Sequence, residues 1–202
     1  MKEYLIKKLQ SVLKVLARLT IKRYRPFIVG VTGSAGKTST KSAIYSVLKS
    51  IFAVRMGKGN LNNELGLPLV ILGDYKTSGG ASFWFRVLFF GFCGLVWRKN
   101  YPEILILEYG ADKPGDMDYL LTVAKPDLAV VTAVGDIPVH VEFYQGPEGV
   151  AKEKGKLVKA IGLGGNVVLN LDDPFVADMK DLTKGNVMTY GFSAMADLRI
   201  SS

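Results

Sequence analysis

The chain of 202 residues holds one cysteine, Cys93, so no disulfide can close within it. Set inside an apolar run, that cysteine is expected to behave as a small buried hydrophobe. No convincing secretory signal opens the chain. The first 25 residues are basic, but no small-residue cleavage site follows an apolar block. A cytoplasmic location is expected. The run "ASFWFRVLFFGFCGLVW" has 17 residues, Ala81 to Trp97, and carries Arg86 and two glycines. It is short of the roughly 20 residues of a membrane-crossing helix and predicts a partly buried or membrane-touching one. Internal repeats and low-complexity linkers are missing, and "DYKTSGG" (Asp74 to Gly80) reads as a loop within the domain. Acidic residues are outnumbered, 18 against 26 basic, giving a formal net charge of +8. That surplus suits a nucleotide, a nucleic acid or a lipid surface. No interleaving of aromatic and basic residues supports nucleic acid.

What is present has the composition of a folded soluble protein, 49% hydrophobic and 22% charged. Leu5, Leu9, Val12, Leu16 and Leu19 recur at helical spacing, with Lys7, Lys8, Lys14 and Arg18 elsewhere around the helix. A basic amphipathic helix over residues 1–26 is expected, either docked on its own domain or touching a membrane through residues 1–25. From residue 27 to 202 the pattern alternates. "FIVGVT", "AVRM", "EILILE", "LAVVTAV", "NVVLN" and "NVMTYG" are short apolar strands, and helices fit between them, notably Asp116 to Ala124 and Pro147 to Ile161. After the first strand, Ile44, Val47, Leu48 and Ile51 sit at helical spacing. Continuous apolar strands separated by helices predict an α/β fold, a mainly parallel sheet with helices on both faces. Ligands in such sheets sit beyond the carboxyl ends of the strands.

At the end of the first strand stands "VTGSAGKTST", Val31 to Thr40. The eight-residue phosphate-loop pattern is not met, because position 31 is Val; the shorter G-x-x-G-K-T runs from Gly33 to Thr38. Strand, glycine loop and helix are the parts of a phosphate clamp, a P-loop-type arrangement. The glycines let backbone N–H groups turn inward and the helix N-terminus adds positive potential. Gly33, Ser34, Ala35, Gly36, Lys37, Thr38 and Ser39 are the candidate ATP-binding residues. Lys37 would meet the β- and γ-phosphates, and the Thr38 hydroxyl would reach Mg2+.

Further segments follow in order: "NLNNELGLPL" (Asn60 to Leu69), "LEYGADKPGDMDYL" (Leu107 to Leu120), "KPDLAVVTAVG", "HVEFY", "EGVAKEKGKLV" and "NLDD" (Asn170 to Asp173). With the short loop they resemble the ATP-binding central domain of the Mur ligases, over roughly residues 27–192. "NNELGLP" and "PGD" are similar to the branch that adds D-alanyl-D-alanine. The resemblance implies a ligase of peptidoglycan precursor synthesis. ATP would phosphorylate the terminal carboxylate of a UDP-MurNAc-peptide, and the amine of D-alanyl-D-alanine would attack the acyl phosphate. It also implies roles. Thr38 and Glu108 match ligands of a first Mg2+, and His140 a histidine associated with metal binding. Lys154, with Lys152 as the neighbouring alternative, matches a lysine whose carbamate holds a second Mg2+. Lys37, Glu108, His140 and Lys154 would be the catalytic set, and Asn60, Asn62 and Asn63 would lie near the substrate.

Other roles remain open for several of these. The three asparagines could cap turns, and Asn170, Asp172 and Asp173 could cap a helix or touch nucleotide. In the family pattern T-N-V-G-x-A-H, Ala133 replaces the asparagine here, and two more residues separate Gly135 from His140. Complete Mur ligases also carry an N-terminal domain for the UDP-sugar and a C-terminal domain bearing an arginine and an aspartate. Residues 1–202 alone are therefore expected to bind Mg·ATP weakly and not to complete ligation. Two rivals stand beside this reading: another ligase of the superfamily, such as a folylpolyglutamate type, and a non-catalytic nucleotide-binding module at the membrane.

Overall fold

The computed structural model describes residues 2–76, 79–97, 100–139 and 141–201. Its centre is a seven-stranded, wholly parallel sheet in the order β2-β3-β1-β4-β5-β6-β7. The strands are β1 (Phe27–Thr32), β2 (Val54–Met56), β3 (Ile104–Glu108), β4 (Leu128–Val131), β5 (Asn166–Asn170), β6 (Asn186–Gly191) and β7 (Leu198–Arg199). The first six follow the apolar runs of the sequence. β7 has two exposed residues and no apolar signal, so it was not expected.

The central strands are buried on both sides, which is why they are apolar without alternation. Ile28, Leu105 and Leu107 point into the main core. Val29, Val31, Ile104 and Ile106 point to the other face. The main core is covered by α5 (Asp116–Val123), α6 (Gly146–Lys159) and α7 (Pro174–Ala177), and by α1 (Lys2–Tyr24) and α3 (Gly66–Leu72). A smaller cluster of Leu13, Leu69, Leu72 and Val87 joins α1 and α3 to α4 (Ala81–Val96). The opposite face is covered by α2 (Lys37–Leu48) over β1, β2 and β3. Helices thus lie on both faces, unevenly. On the α2 side an apolar groove runs beside it over Val130, Val168 and Tyr190.

Three local expectations need correction. On α1 the buried stripe is Leu13, Ala17 and Thr20, with Leu9 and Leu16 half-buried, while Leu5, Val12 and Leu19 stay exposed. Ala17 packs in the core with Leu67, Val70 and Ile71 of α3, so the docked face is rotated from the leucine-rich one. On α2, Ile44 and Leu48 pack on the sheet with Tyr45, whereas Val47 faces solvent, as does Ile51, which lies in the turn beyond the helix. Cys93 is half-buried on α4 rather than buried.

The C-terminal end of α1 is fixed by Tyr24. Its ring stacks on Tyr101 with centroids 4.4 Å apart, and its hydroxyl donates to the Gly94 carbonyl on α4 at 2.6 Å. The sheet order then positions the site. The chain leaves β1 for α2 on one face and leaves the adjacent β3 for α5 on the other. Connections that part in this way open a crevice at the carboxyl ends of the two strands.

Candidate active site

The loop after β1 is gripped from β4. Gly33 has φ +147°, and a Cβ there would lie 2.0 Å from Thr132 Oγ1 and 3.0 Å from the Ala133 carbonyl oxygen. Thr132 Oγ1 donates to the carbonyls of Thr32 (3.1 Å) and Ala35 (2.5 Å). The Ser34 N–H donates to the Ala133 carbonyl at 2.6 Å. Ala133, where the family pattern has asparagine, thus acts through its backbone. Gly36 in the left-handed region opens α2. Lys37 Nζ donates to the carbonyls of Gly33 (2.8 Å) and Ser34 (3.2 Å), which holds the ammonium at the loop. Burial lowers its pKa, opposed by the carboxylates of Glu108 and Asp112. Among the described residues the buried Ser34 hydroxyl has no hydrogen-bond partner. A buried donor beside a helix N-terminus is suited to a phosphate oxygen.

Across the crevice, Glu108 ends β3 and is buried. Its Oε2 accepts from the Thr38 hydroxyl at 3.3 Å and pairs with Lys41 Nζ at 2.9 Å. Its Oε1 accepts from Asn62 Nδ2 at 3.0 Å. Lys41, one turn along α2 from Lys37, is 2% exposed and also donates to the Gly59 carbonyl. Nothing in the sequence marked Lys41. A lysine on an amphipathic helix normally faces water. Thr38 and Glu108 are hard oxygen donors on adjacent elements, the chemistry Mg2+ prefers. Among the described residues no group of three or more His, Cys, Asp or Glu gathers into a metal site. A cation here would rest on these two side chains together with phosphate oxygens.

Lys154, on α6, reaches the same cleft of about 490 Å3 and is buried. Its pKa is lowered to about 8, first by burial and then by the neighbouring Lys37 ammonium, with Asp112 and Glu153 pulling the other way. Lys152 is exposed on the opposite side of the helix. Glu153 does not enter the cleft. It accepts from the N–H groups of Gly115 and Met117 at 3.0 Å each, and so pins the start of α5 to α6. Asp112, which no local pattern marks as a candidate, also lines the cleft. Only its place between a glycine-rich turn and α5 hinted at it.

Of the remaining candidates, Ser34, Gly36, Ser39, Asn60, Asn62 and Asn63 line the cleft with Lys37, Thr38, Glu108 and Lys154. Gly33 and Ala35 shape the loop. Asn62 reaches Glu108, while Asn63 Oδ1 accepts from the N–H groups of Leu65 and Gly66 at the start of α3. His140 lies outside the described residues; its neighbour Val139 lines the cleft. Asn170, Asp172 and Asp173 make turn and cap contacts. Asp173 caps α7 and accepts from the Val134 and Gly135 N–H groups. Asn170 accepts from the Asp172 N–H, and Asp172 from Phe192 and Ser193.

The sequence and the fold are similar to those of known proteins. A profile of the Mur ligase middle domain matches residues 31–81 and 94–202 and passes over most of α4. The UDP-N-acetylmuramoyl-tripeptide–D-alanyl-D-alanine ligase of Mycobacterium leprae is 34% identical over 161 residues, 80% of this chain and 26% of that protein. The Bacillus subtilis ligase of the same name is 28% identical over 190 residues, 94% of this chain and 35% of that protein. The crystal structure of the MurF ligase from Thermotoga maritima in complex with ADP superposes with a TM-score of 0.71 at 33% identity, covering 92% of this chain and 37% of that one. The chain spans about a third or less of the length of these curated relatives. With the profile covering most of its length, the chain belongs to the Mur ligase family and carries that family's middle domain.

Proposed function

We propose that this chain is the ATP-binding core of a cytoplasmic ligase that joins D-alanyl-D-alanine to a UDP-MurNAc-peptide. The observation that carries the reading is the pairing across the crevice. Lys37 and Thr38 stand at the N-terminus of α2, and the Thr38 hydroxyl reaches Glu108 on the adjacent strand at 3.3 Å. The match to ligases named for this reaction supports the substrate class.

A carboxylate is a poor electrophile, and phosphorylation gives it a leaving group. A carboxylate oxygen of the peptide attacks the γ-phosphorus and ADP departs. The amine nitrogen then attacks the acyl carbon, loses a proton and expels phosphate. Both reactants are anionic, so the site must gather positive charge where they meet. Lys37 and the backbone N–H groups of the loop hold the phosphates. Thr38 and Glu108 are the residues that would hold Mg2+, which supplies charge neutralisation when bound. Asn62 and Lys41 fix the Glu108 carboxylate. Asn60 and Asn63, on the same wall, and His140 complete the proposed substrate and metal set.

The test is coupled turnover in the protein as the cell makes it. ADP should be released only when Mg·ATP, a UDP-MurNAc-peptide and D-alanyl-D-alanine are all present, and Thr38→Ala should abolish release. ADP release with glutamate and a folate in their place would move the assignment to the folylpolyglutamate type. ATP binding with no coupling to any amine would leave a nucleotide-binding module.

Lys154 is proposed as the carbamylated ligand of a second Mg2+. Its place in the cleft wall supports it over the exposed Lys152. Only a neutral amine attacks CO2, and a lysine near pKa 8 is about half neutral at that pH. With 13C-bicarbonate, a carbamate carbonyl resonance is expected that strengthens from pH 7 to 8.5. It should vanish in Lys154→Arg and persist in Lys152→Ala. The reverse pattern would transfer the role to Lys152.

The N-terminal helix supports a second element of the reading, peripheral contact with the inner face of the membrane through residues 1–25. Leu5, Val12 and Leu19 remain exposed there among lysines and arginines.

A further inference from the structure

Two elements of this chain fall outside the matched family profile: α1 entirely and α4 over residues 82–93. They pack on each other. Leu13 and Val87 share one buried cluster, Leu16 lies against Gly91, and Tyr24 is bonded to Gly94. The inward side of α4 is therefore Val87, Gly91 and Gly94. On the opposite side stand Phe85, Phe89, Phe92 and Val96, at helical spacings of four, three and four, exposed by 71%, 53%, 59% and 53%. Phe85 and Phe89 stack with ring centroids 6.3 Å apart. Phe90 and Trp97 are exposed beside them. α1 has exposed apolar residues of its own. Leu5, Val12 and Leu19 lie one step round the helix from Leu9 and Leu16, which pack in the cluster shared with α4.

A stripe of exposed aromatic side chains on one helix face marks an interaction site. The matched family profile passes over residues 82–93, so the stripe lies outside what that profile describes. Its charge identifies the occupant. α1 carries seven basic residues and one acidic, and Arg86 is the sole charged residue of α4. Phenylalanine and tryptophan framed by lysine and arginine, with almost no carboxylate, complement the interface of an anionic bilayer. No described helix is long and apolar enough to cross a membrane, so the pair would lie in the plane of the surface. Arg86 can lay its stem on the apolar face and keep its head among phosphates.

We propose that α1 and α4 together form a docking face for an anionic lipid bilayer. The α4 stripe from Phe85 to Val96 enters the headgroup–acyl boundary, and the α1 lysines and arginines sit on the headgroups. The proposal rests on the reading of α1 as a lipid-facing helix and adds α4 as the inserting element. It is independent of the ligase assignment.

The test is co-sedimentation of the chain with phosphatidylcholine vesicles, with and without about a third phosphatidylserine. Binding should be at least about tenfold stronger to the anionic vesicles and should weaken in about 0.5 M salt. F85S/F89S/F92S should lose about tenfold or more of that binding. K7E/K8E/R18E should lose the preference for anionic lipid. All six positions are exposed, and an unchanged far-UV spectrum and ATP affinity would show that the variants fold. If the triple serine variant binds as the parent does, the role of α4 is refuted while that of α1 stands. If the parent binds neither vesicle, both fall. If the serine variant only converts a dimer to a monomer, the face is a protein interface and the proposal is overturned.

Discussion

Gly33→Ala is expected to be the most damaging single methyl in the chain. Two costs meet at this position. A φ of +147° is a region that an alanine rarely adopts, and the new Cβ would stand 2.0 Å from Thr132 Oγ1. Backbone strain and overlap together should cost about 4 kcal/mol, read as a lowered urea midpoint. The loop cannot retreat, because Ser34 N–H and the Ala35 carbonyl are both held by residues 132 and 133. Gly115→Ala is the control. Its φ is +94°, but a Cβ there meets nothing within 4 Å. It should cost about 1 kcal/mol, the strain alone. Thr132→Ala removes the nearest atom, so G33A/T132A should cost clearly less than the two single changes added together. Equal losses in Gly33→Ala and Gly115→Ala would mean that the loop is not held against β4. ATP binding should fall with Gly33→Ala and be untouched by Gly115→Ala, because only the first position belongs to the phosphate loop.

The strands were legible because parallel strands buried on both faces must be apolar throughout, and "EILILE" or "LAVVTAV" permits little else. The phosphate loop was legible because its chemistry is local: glycines, a lysine and a threonine within six residues. What escaped notice depended on tertiary contact. α3 is buried at all seven positions, so no polar face announces a helix in "GLPLVIL". The phase of α1 is hidden in the sequence because Ala17 and Thr20 carry no strong hydrophobic signal, yet they are buried against the domain. In the "NLDD" segment Asp173 caps α7, and its hold on the turn after β4 is a contact 38 residues away that no local pattern shows. Lys154 and Lys152 differ only in which side of α6 they occupy, and spacing alone cannot say which side faces a cleft built from β1 and β3.

Lys41 is the residue whose removal should say most about the site. Its ammonium is 2.9 Å from the oxygen of Glu108 that also faces Thr38, and both partners are almost fully buried. Breaking such a pair leaves an uncompensated charge. Lys41→Met keeps the volume and should cost about 3 kcal/mol without divalent cation, the low end for a buried pair, because Asn62 and Thr38 still donate to Glu108. If Glu108 is a metal ligand, Mg2+ can replace the missing charge. Added at about a hundred times its dissociation constant, it should restore about 2.7 kcal/mol. The parent should gain less, since its carboxylate already has a cation. K41M/E108Q removes both charges. It should be more stable than K41M alone and indifferent to Mg2+. Thermal melts of the parent and these two variants, each with Mg2+ and with EDTA, decide the matter. Loss of stability in K41M that Mg2+ does not relieve would make Lys41–Glu108 a purely structural pair and remove Glu108 from the metal site. Rescue confined to K41M would instead assign Lys41 a role in the cycle: it neutralises the Glu108 carboxylate whenever metal and nucleotide leave, so that the crevice survives product release without a buried bare charge.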